Sequence, residues 1–183
     1  MITDDAGGAS AASADSDTAM TEGVCDVDNR VSNPFFDEWN SDTAPAAWTV
    51  SAGAAELVSH DQAETALRIS PEDGPAGSTW VMGQVLSGVF EPGVTYFVEF
   101  GYRKVGGQDV GTEIHVEFDA GGFASANVSV AASEQWQQGY AELVLPDDEG
   151  AETQNTIPLL IASFDNDQVI EFDSIVVSAE ACP

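Results

Sequence analysis

The chain reads as an all-β domain of two packed antiparallel sheets, and three observations carry that expectation. Short runs rich in Val, Ile, Thr, Phe and Tyr recur between residues 47 and 178. Clusters of turn residues separate them: PEDGPAG at 71–77, EPG at 91–93, VGGQ at 105–108, AGG at 120–122, PDDEG at 146–150 and DND at 165–167. No long segment carries a helical period. Strands at this spacing, in a domain of about 150 residues, fit a two-sheet sandwich.

Residues 1–24 are Ala, Gly, Ser, Thr and Asp with almost no large apolar side chain. Such a segment cannot bury enough surface to offset its ordering entropy, so it is expected to be a disordered acidic tether. The folded domain is expected over residues 25–183. Its first foldable stretch, Val31 to Val50, gathers Asn33, Phe35, Phe36, Asp37, Trp39 and Trp48. Strands are then expected at Ala47–Val50, Ala55–Ser59, Thr65–Ser70, Thr79–Leu86, Thr95–Lys104, Thr112–Asp119, Ala124–Val130, Gln137–Leu145, Thr156–Phe164 and Val169–Ser178.

Alternation shows which faces are wet. Ile114, Val116 and Phe118 point one way, and Glu113, His115 and Glu117 the other. Ala126, Val128 and Val130 likewise oppose Asn127 and Ser129. This is the pattern of a sheet with one face on the core. Leu159–Phe164, LLIASF, is nearly apolar throughout and is expected in a central or covered strand.

With 43% hydrophobic residues a core is available, but the charge is unusual: 32 acids face four bases, a formal net charge of −28. Lys104, Arg30, Arg68 and Arg103 are all the bases there are. Such a surface repels phosphate backbones and anionic membranes, so nucleic acid is excluded as a partner. Scattered acids with little lysine fit adaptation to high salt, where self-repulsion is screened; a divalent cation site would need only a few of them. No stretch reaches the length of a membrane-spanning helix, and the first residues form neither a basic nor an apolar leader region.

Catalytic signatures are lacking. His60 and His115 fall in no metal-ligand spacing, and there is no Gly-x-Ser-x-Gly elbow or phosphate-cradling glycine loop. The expectation is a non-enzyme.

The step Asn33, Phe36, Asp37, followed by Trp48, in an otherwise all-β chain resembles the opening of the galactose-binding-like jelly-roll carbohydrate-binding modules. The last strand, VIEFDSIVV from Val169 to Val177, is similar to the family's closing pattern. The resemblance spans Asp28 to Ala179 and implies a jelly-roll β-sandwich that binds a polysaccharide or glycan without catalysis. It also implies a structural calcium ion, Ca²⁺, at Asp37 and Asp173. Here the chain has Asp where the family more often has Glu, and Ser174 where a second Asp is frequent.

The jelly roll sets its first and last strands side by side, so Cys25 and Cys182 are expected to form a disulfide, which places the protein outside the cell or at its surface. A sugar site needs flat aromatics for stacking and planar polar groups for hydroxyls. Trp48 and Trp136 correspond to the family's core tryptophans. The remaining ligand candidates are Trp80, Gln84, Arg103, His115 and Glu117, with Tyr102 and Phe123 at the rim. Trp80 and Gln84 share a strand face, and an unmatched buried glutamine is costly, so both are expected in a groove. The competing expectation is a structural or adhesive domain that engages other protein subunits and takes no small ligand.

Overall fold

Period-two alternation becomes paired ladders along nearly every run expected to be a strand. The computed structural model describes residues 28–59, 65–71, 79–107, 112–119, 123–130, 134–147, 151–164 and 168–179. The expected tether, His60, Cys25 and Cys182 lie outside them. The described residues form twelve strands: β1 (Trp39–Ser41), β2 (Ala44–Pro45), β3 (Thr49–Ala52), β4 (Ala54–Ser59), β5 (Thr65–Ser70), β6 (Trp80–Phe90), β7 (Thr95–Gly106), β8 (Thr112–Asp119), β9 (Phe123–Val130), β10 (Gln137–Val144), β11 (Gln154–Ser163) and β12 (Val169–Ser178).

Ten of them form two five-stranded sheets, ordered β10-β7-β12-β5-β4 and β3-β6-β11-β8-β9, and β1 with β2 makes a small hairpin. Every ladder is antiparallel. The architecture is the expected jelly-roll sandwich. Between the sheets lie Trp80, Met82 and Leu86 of β6, Tyr96, Val98 and Phe100 of β7, Ile114, Val116 and Phe118 of β8, and Phe172 of β12, all buried. Their rings interlock: Trp80 meets Phe172 edge-on at 5.9 Å, and Phe172 meets Phe100 at 5.8 Å. Such contacts add to the area term that drives the sheets together.

The stretch from Val31 to Val50 is organised by Asn33. Its Nδ2 donates to the carbonyls of Glu38 and Ala46, and its Oδ1 accepts from the Glu38 amide. Its carbonyl accepts from the Trp48 indole at 3.2 Å, and Trp48 packs on the buried Phe36 at 5.5 Å. One amide side chain thus closes a loop that carries two core aromatics. The strand expected from Ala47 begins instead at Thr49, because Ala47 takes a φ of 66°, outside the extended region. The β1–β2 hairpin was not anticipated; its runs are too short for any periodic signal.

The last strand is a central one. β12 lies between β7 and β5, but its ladder with β5 covers only Ile170 to Phe172. Beyond that point residues 29–34 run alongside it: the Arg30 amide donates to the Val177 carbonyl, and the Ile175 amide to the Pro34 carbonyl, both at 2.9 Å.

Candidate functional site

Three residues expected to bind a ligand, Trp80, Gln84 and Tyr102, are buried in the core instead. Trp80 is 0% exposed, and its indole N–H donates to the Gln168 carbonyl at 3.2 Å, so burial leaves no polar group unmet. Gln84 is 7% exposed and shares the inward face. Its Oε1 accepts from the Ser32 amide at 2.8 Å, and its Nε2 donates to the carbonyls of Ser32 and Ala47 at 2.9 and 3.2 Å. A buried glutamine does need partners; here the backbone of the N-terminal segment provides them. Tyr102 is buried against Phe100, with ring centroids 5.8 Å apart.

Arg103 does face outward, on the β10-β7-β12-β5-β4 sheet. One register row across β7, β12, β5 and β4 reads Arg103, Glu171, Arg68, Glu56. The fully buried Glu171 accepts from Arg103 Nε at 2.5 Å through one oxygen and from Arg68 at 2.7 and 2.9 Å through the other. Arg103 also lies over the Trp136 ring, 5.0 Å from its centroid. Hydrogen bonding to Glu171, opposed by burial, raises the Arg68 pKa above its usual value. These guanidinium groups are committed to holding the sheet.

His115 and Glu117 lie on the opposite outer face, that of β3-β6-β11-β8-β9. The sandwich therefore separates them from Arg103. His115 stands across from Asn127 on β9 and from Ala162 on β11. Its Nδ1 is 2.9 Å from Asn127 Oδ1, and its Nε2 is 3.0 Å from Glu117 Oε2. The small Ala162 leaves room for the imidazole, which packs against Phe164 at 5.6 Å. Phe164 itself is 62% exposed. Burial pulls the His115 pKa down, but hydrogen bonds to Glu117 and Asn127 and the Glu117 charge outweigh it, so the pKa stands above that of an ordinary histidine.

An apolar lane runs beside this polar row. Glu117 faces Leu160 across the ladder, Leu160 faces Gly83, and Pro158 faces Val85, which is 63% exposed. At Gly83 a Cβ would come within 2.7 Å of the Leu159 carbonyl oxygen, so the lane has no side chain at its middle. An exposed ring, an apolar floor and a row of planar polar groups suit a ligand with alternating C–H and hydroxyl faces. Sequence reading missed Phe164 and Asn127. Phe164 ends an apolar run that reads as buried, and Asn127 acquires meaning only through the β8–β9 register.

The residues expected to hold calcium differ in setting. Asp37 is exposed in the loop before β1. Asp173 is partly buried, its Oδ1 accepting from the Ser174 hydroxyl at 2.7 Å, and it lies so close over Gly101 that a Cβ there would be 2.2 Å from Oδ1. Among the described residues no three His, Cys, Asp or Glu side chains gather as metal ligands. Two carboxylates alone do not complete the six to eight oxygens that calcium takes, so backbone carbonyls or water would have to contribute the rest. The side chain of Phe123, the expected rim residue, lies outside the described set, as does the Cys25–Cys182 pair.

No protein-family model matches the chain, and no curated protein matches its sequence. Solved structures do match its fold. TmCBM61, determined in complex with β-1,4-galactotriose, superposes with a TM-score of 0.57 at 19% identity, over 83% of this chain and 99% of its own. The CBM22-1 xylan-binding domain of Paenibacillus barcinonensis Xyn10C gives a TM-score of 0.57 at 11% identity, over 85% of this chain and 97% of its own. The fold is that of the carbohydrate-binding modules. It is also found in a cyclase from Fischerella sp. TAU, in complex with 4-(1H-indol-3-yl)butan-2-one, with a TM-score of 0.63 at 12% identity, over 84% of this chain and 97% of its own. The likeness concerns architecture, and the same sandwich serves more than one chemistry.

Proposed function

We propose that this chain is a non-catalytic, extracellular carbohydrate-binding domain whose sugar surface is the outer face of the β3-β6-β11-β8-β9 sheet. The observation that carries the reading is the exposed Phe164 ring set against the His115–Glu117–Asn127 row. Phe164 stacks on a pyranose face, Glu117 and Asn127 read hydroxyls, and His115 holds those two in place. Both His115 ring nitrogens are engaged by Asn127 and Glu117, so the histidine is arranged to orient a ligand rather than to activate a nucleophile. The galactotriose complex of TmCBM61 and the xylan-binding domain of Xyn10C support neutral plant-type glycans as first ligands to try. A structural calcium at Asp37 and Asp173 belongs to this proposal on family resemblance alone.

Calorimetric titration with β-1,4-galacto- and xylo-oligosaccharides tests it. Phe164→Ala and Glu117→Ala should each weaken binding about tenfold, near the value of one stacking or hydrogen-bonding contact, and Phe164→Ala should do so without lowering the unfolding midpoint. Unchanged affinity in both variants overturns the choice of face.

The apolar lane of Val85, Pro158 and Leu160 favours a second reading, a docking surface for another protein subunit in an assembled surface structure. Val85→Glu separates the two: it disperses an assembly seen by sedimentation, yet leaves stacking on Phe164 in place.

A further inference from the structure

We infer that Asn127 sets the hydrogen-bonding polarity of the proposed sugar face, and that the proton on His115 governs which way its amide points. The ligand part rests on the carbohydrate reading above; the coupled turn of the amide rests on geometry alone.

The His115 ring lies between two oxygens, Asn127 Oδ1 at 2.9 Å from Nδ1 and Glu117 Oε2 at 3.0 Å from Nε2. An acceptor on each side requires a proton on each nitrogen, so this is the arrangement of the imidazolium. Neutral imidazole has a single N–H. The Glu117 carboxylate can only accept, which keeps that proton on Nε2 and turns Nδ1 into an acceptor facing Asn127 Oδ1. Two lone pairs at hydrogen-bond distance repel. Half a turn of the Asn127 amide puts Nδ2 in place of Oδ1, and its N–H then donates to Nδ1. The outward atom changes with it. Over the imidazolium Asn127 presents its NH₂ to a ligand; over the neutral ring it presents its carbonyl oxygen.

The groups around the ring favour the charged form. On its own strand Glu113 and Glu117 share its face, with Asp119 further along. From β9 come Asn127 and, on either side of it, the neutral Ser125 and Ser129. From β11 come Leu160, Ala162 and, just past its end, Phe164. The charged neighbours are carboxylates, in keeping with the upward direction of the His115 pKa.

A ligand hydroxyl can donate or accept, so it tolerates either orientation. An acceptor-only group, such as the carbonyl of an O-acetylated sugar, pairs with the NH₂ and is repelled by the carbonyl oxygen. The site therefore takes acetylated glycan at acidic pH and discriminates against it once His115 is neutral.

Nuclear magnetic resonance of the full chain, followed from about pH 5 to about pH 9 around the ordinary histidine range, tests the coupling. The Asn127 side-chain NH₂ signals should shift with the same midpoint as the His115 ring nitrogens. An Asn127 amide that ignores the His115 midpoint overturns the inference. A second arm compares acetylated with deacetylated xylo-oligosaccharides in the wild type and in Asn127→Asp. In the wild type the affinity ratio should fall by about threefold or more above the His115 midpoint, roughly the value of half a hydrogen bond to a neutral group. In Asn127→Asp, which offers oxygen outward at every pH, it should stay low. A pH-independent wild-type ratio with binding intact overturns the acetyl selectivity. Absence of binding to any glycan overturns the carbohydrate reading and the selectivity with it, while the resonance titration still decides the coupled turn.

Discussion

The Gln84 side chain pairs with Ser32 in both directions, accepting from its amide at 2.8 Å and donating to its carbonyl at 2.9 Å. Three hydrogen bonds from one buried amide fix the N-terminal segment over the end of the core. Gln84→Leu keeps the volume but strands the Ser32 and Ala47 groups. It should destabilise the domain by about 2–3 kcal/mol, read as a lower denaturant midpoint with an unchanged slope. An unchanged midpoint would mean that the segment is held elsewhere.

Glu171 stands between Arg68 and Arg103 with no exposed surface of its own. Glu171→Ala leaves two guanidinium groups facing one another across the vacated row. Breaking a buried pair costs about 3–5 kcal/mol, and partial exposure of both arginines reduces this to about 2–3 kcal/mol. Arg68→Met in the Glu171→Ala background should restore part of the loss in a thermal melt, whereas a purely steric role for Glu171 gives no rescue.

His115 makes stability depend on pH in a definite direction. Its folded pKa is raised above the unfolded value, so its contribution is complete below about 6.5 and is lost as pH rises through the folded pKa. Melting temperatures across this window should fall with rising pH more steeply in the wild type than in His115→Gln. Parallel curves would show that the imidazolium contacts add nothing.

Much of this fold was legible because alternation and turn chemistry are local. The faces of the strand Thr112–Asp119 follow from its residues one by one, and the register confirms them. Trp80 and Gln84 were not legible, since both faces of TWVMGQVL carry apolar residues. Their burial depends on Gln168 and on Ser32, respectively 88 and 52 residues away in the chain. The proposed sugar face was half legible: His115 and Glu117 announced themselves as polar positions on one strand. Arg103 was grouped with them because no local signal tells which sheet of a sandwich a strand will join.

A net charge of −28 with four bases should repel itself at low ionic strength, where the Debye length reaches about 30 Å at 0.01 M. Sodium chloride should therefore raise the melting temperature progressively. Calcium at millimolar levels should raise it further if Asp37 and Asp173 help hold an ion. EDTA without effect, and calcium acting only as ionic strength, would dismiss that ion.

The hydrogen bond from the Arg30 amide to the Val177 carbonyl bears on the cysteines. Counting five residues back from Arg30 and five on from Val177 reaches Cys25 and Cys182. Each cysteine thus lies the same distance in sequence beyond one partner of that bond, in keeping with the side-by-side first and last strands that the family resemblance implies. The prediction is a disulfide contributing about 4–5 kcal/mol in the chain-entropy model. Mass spectrometry of protein oxidised in air, with and without reductant, checks it; two alkylatable thiols in folded, oxidised protein would refute it.

The place of β12 between β7 and β5 also constrains how the molecule comes into being. A nascent chain emerging from the ribosome can pair β4 with β5, β7 with β10 and β8 with β9, yet each sheet has a gap at its centre until β11 and then β12 arrive. At about 5–20 residues per second the earlier strands wait several seconds with β7 and β5 unjoined, their edges open to other chains. The dense negative charge then has a second use, keeping half-made copies apart during synthesis.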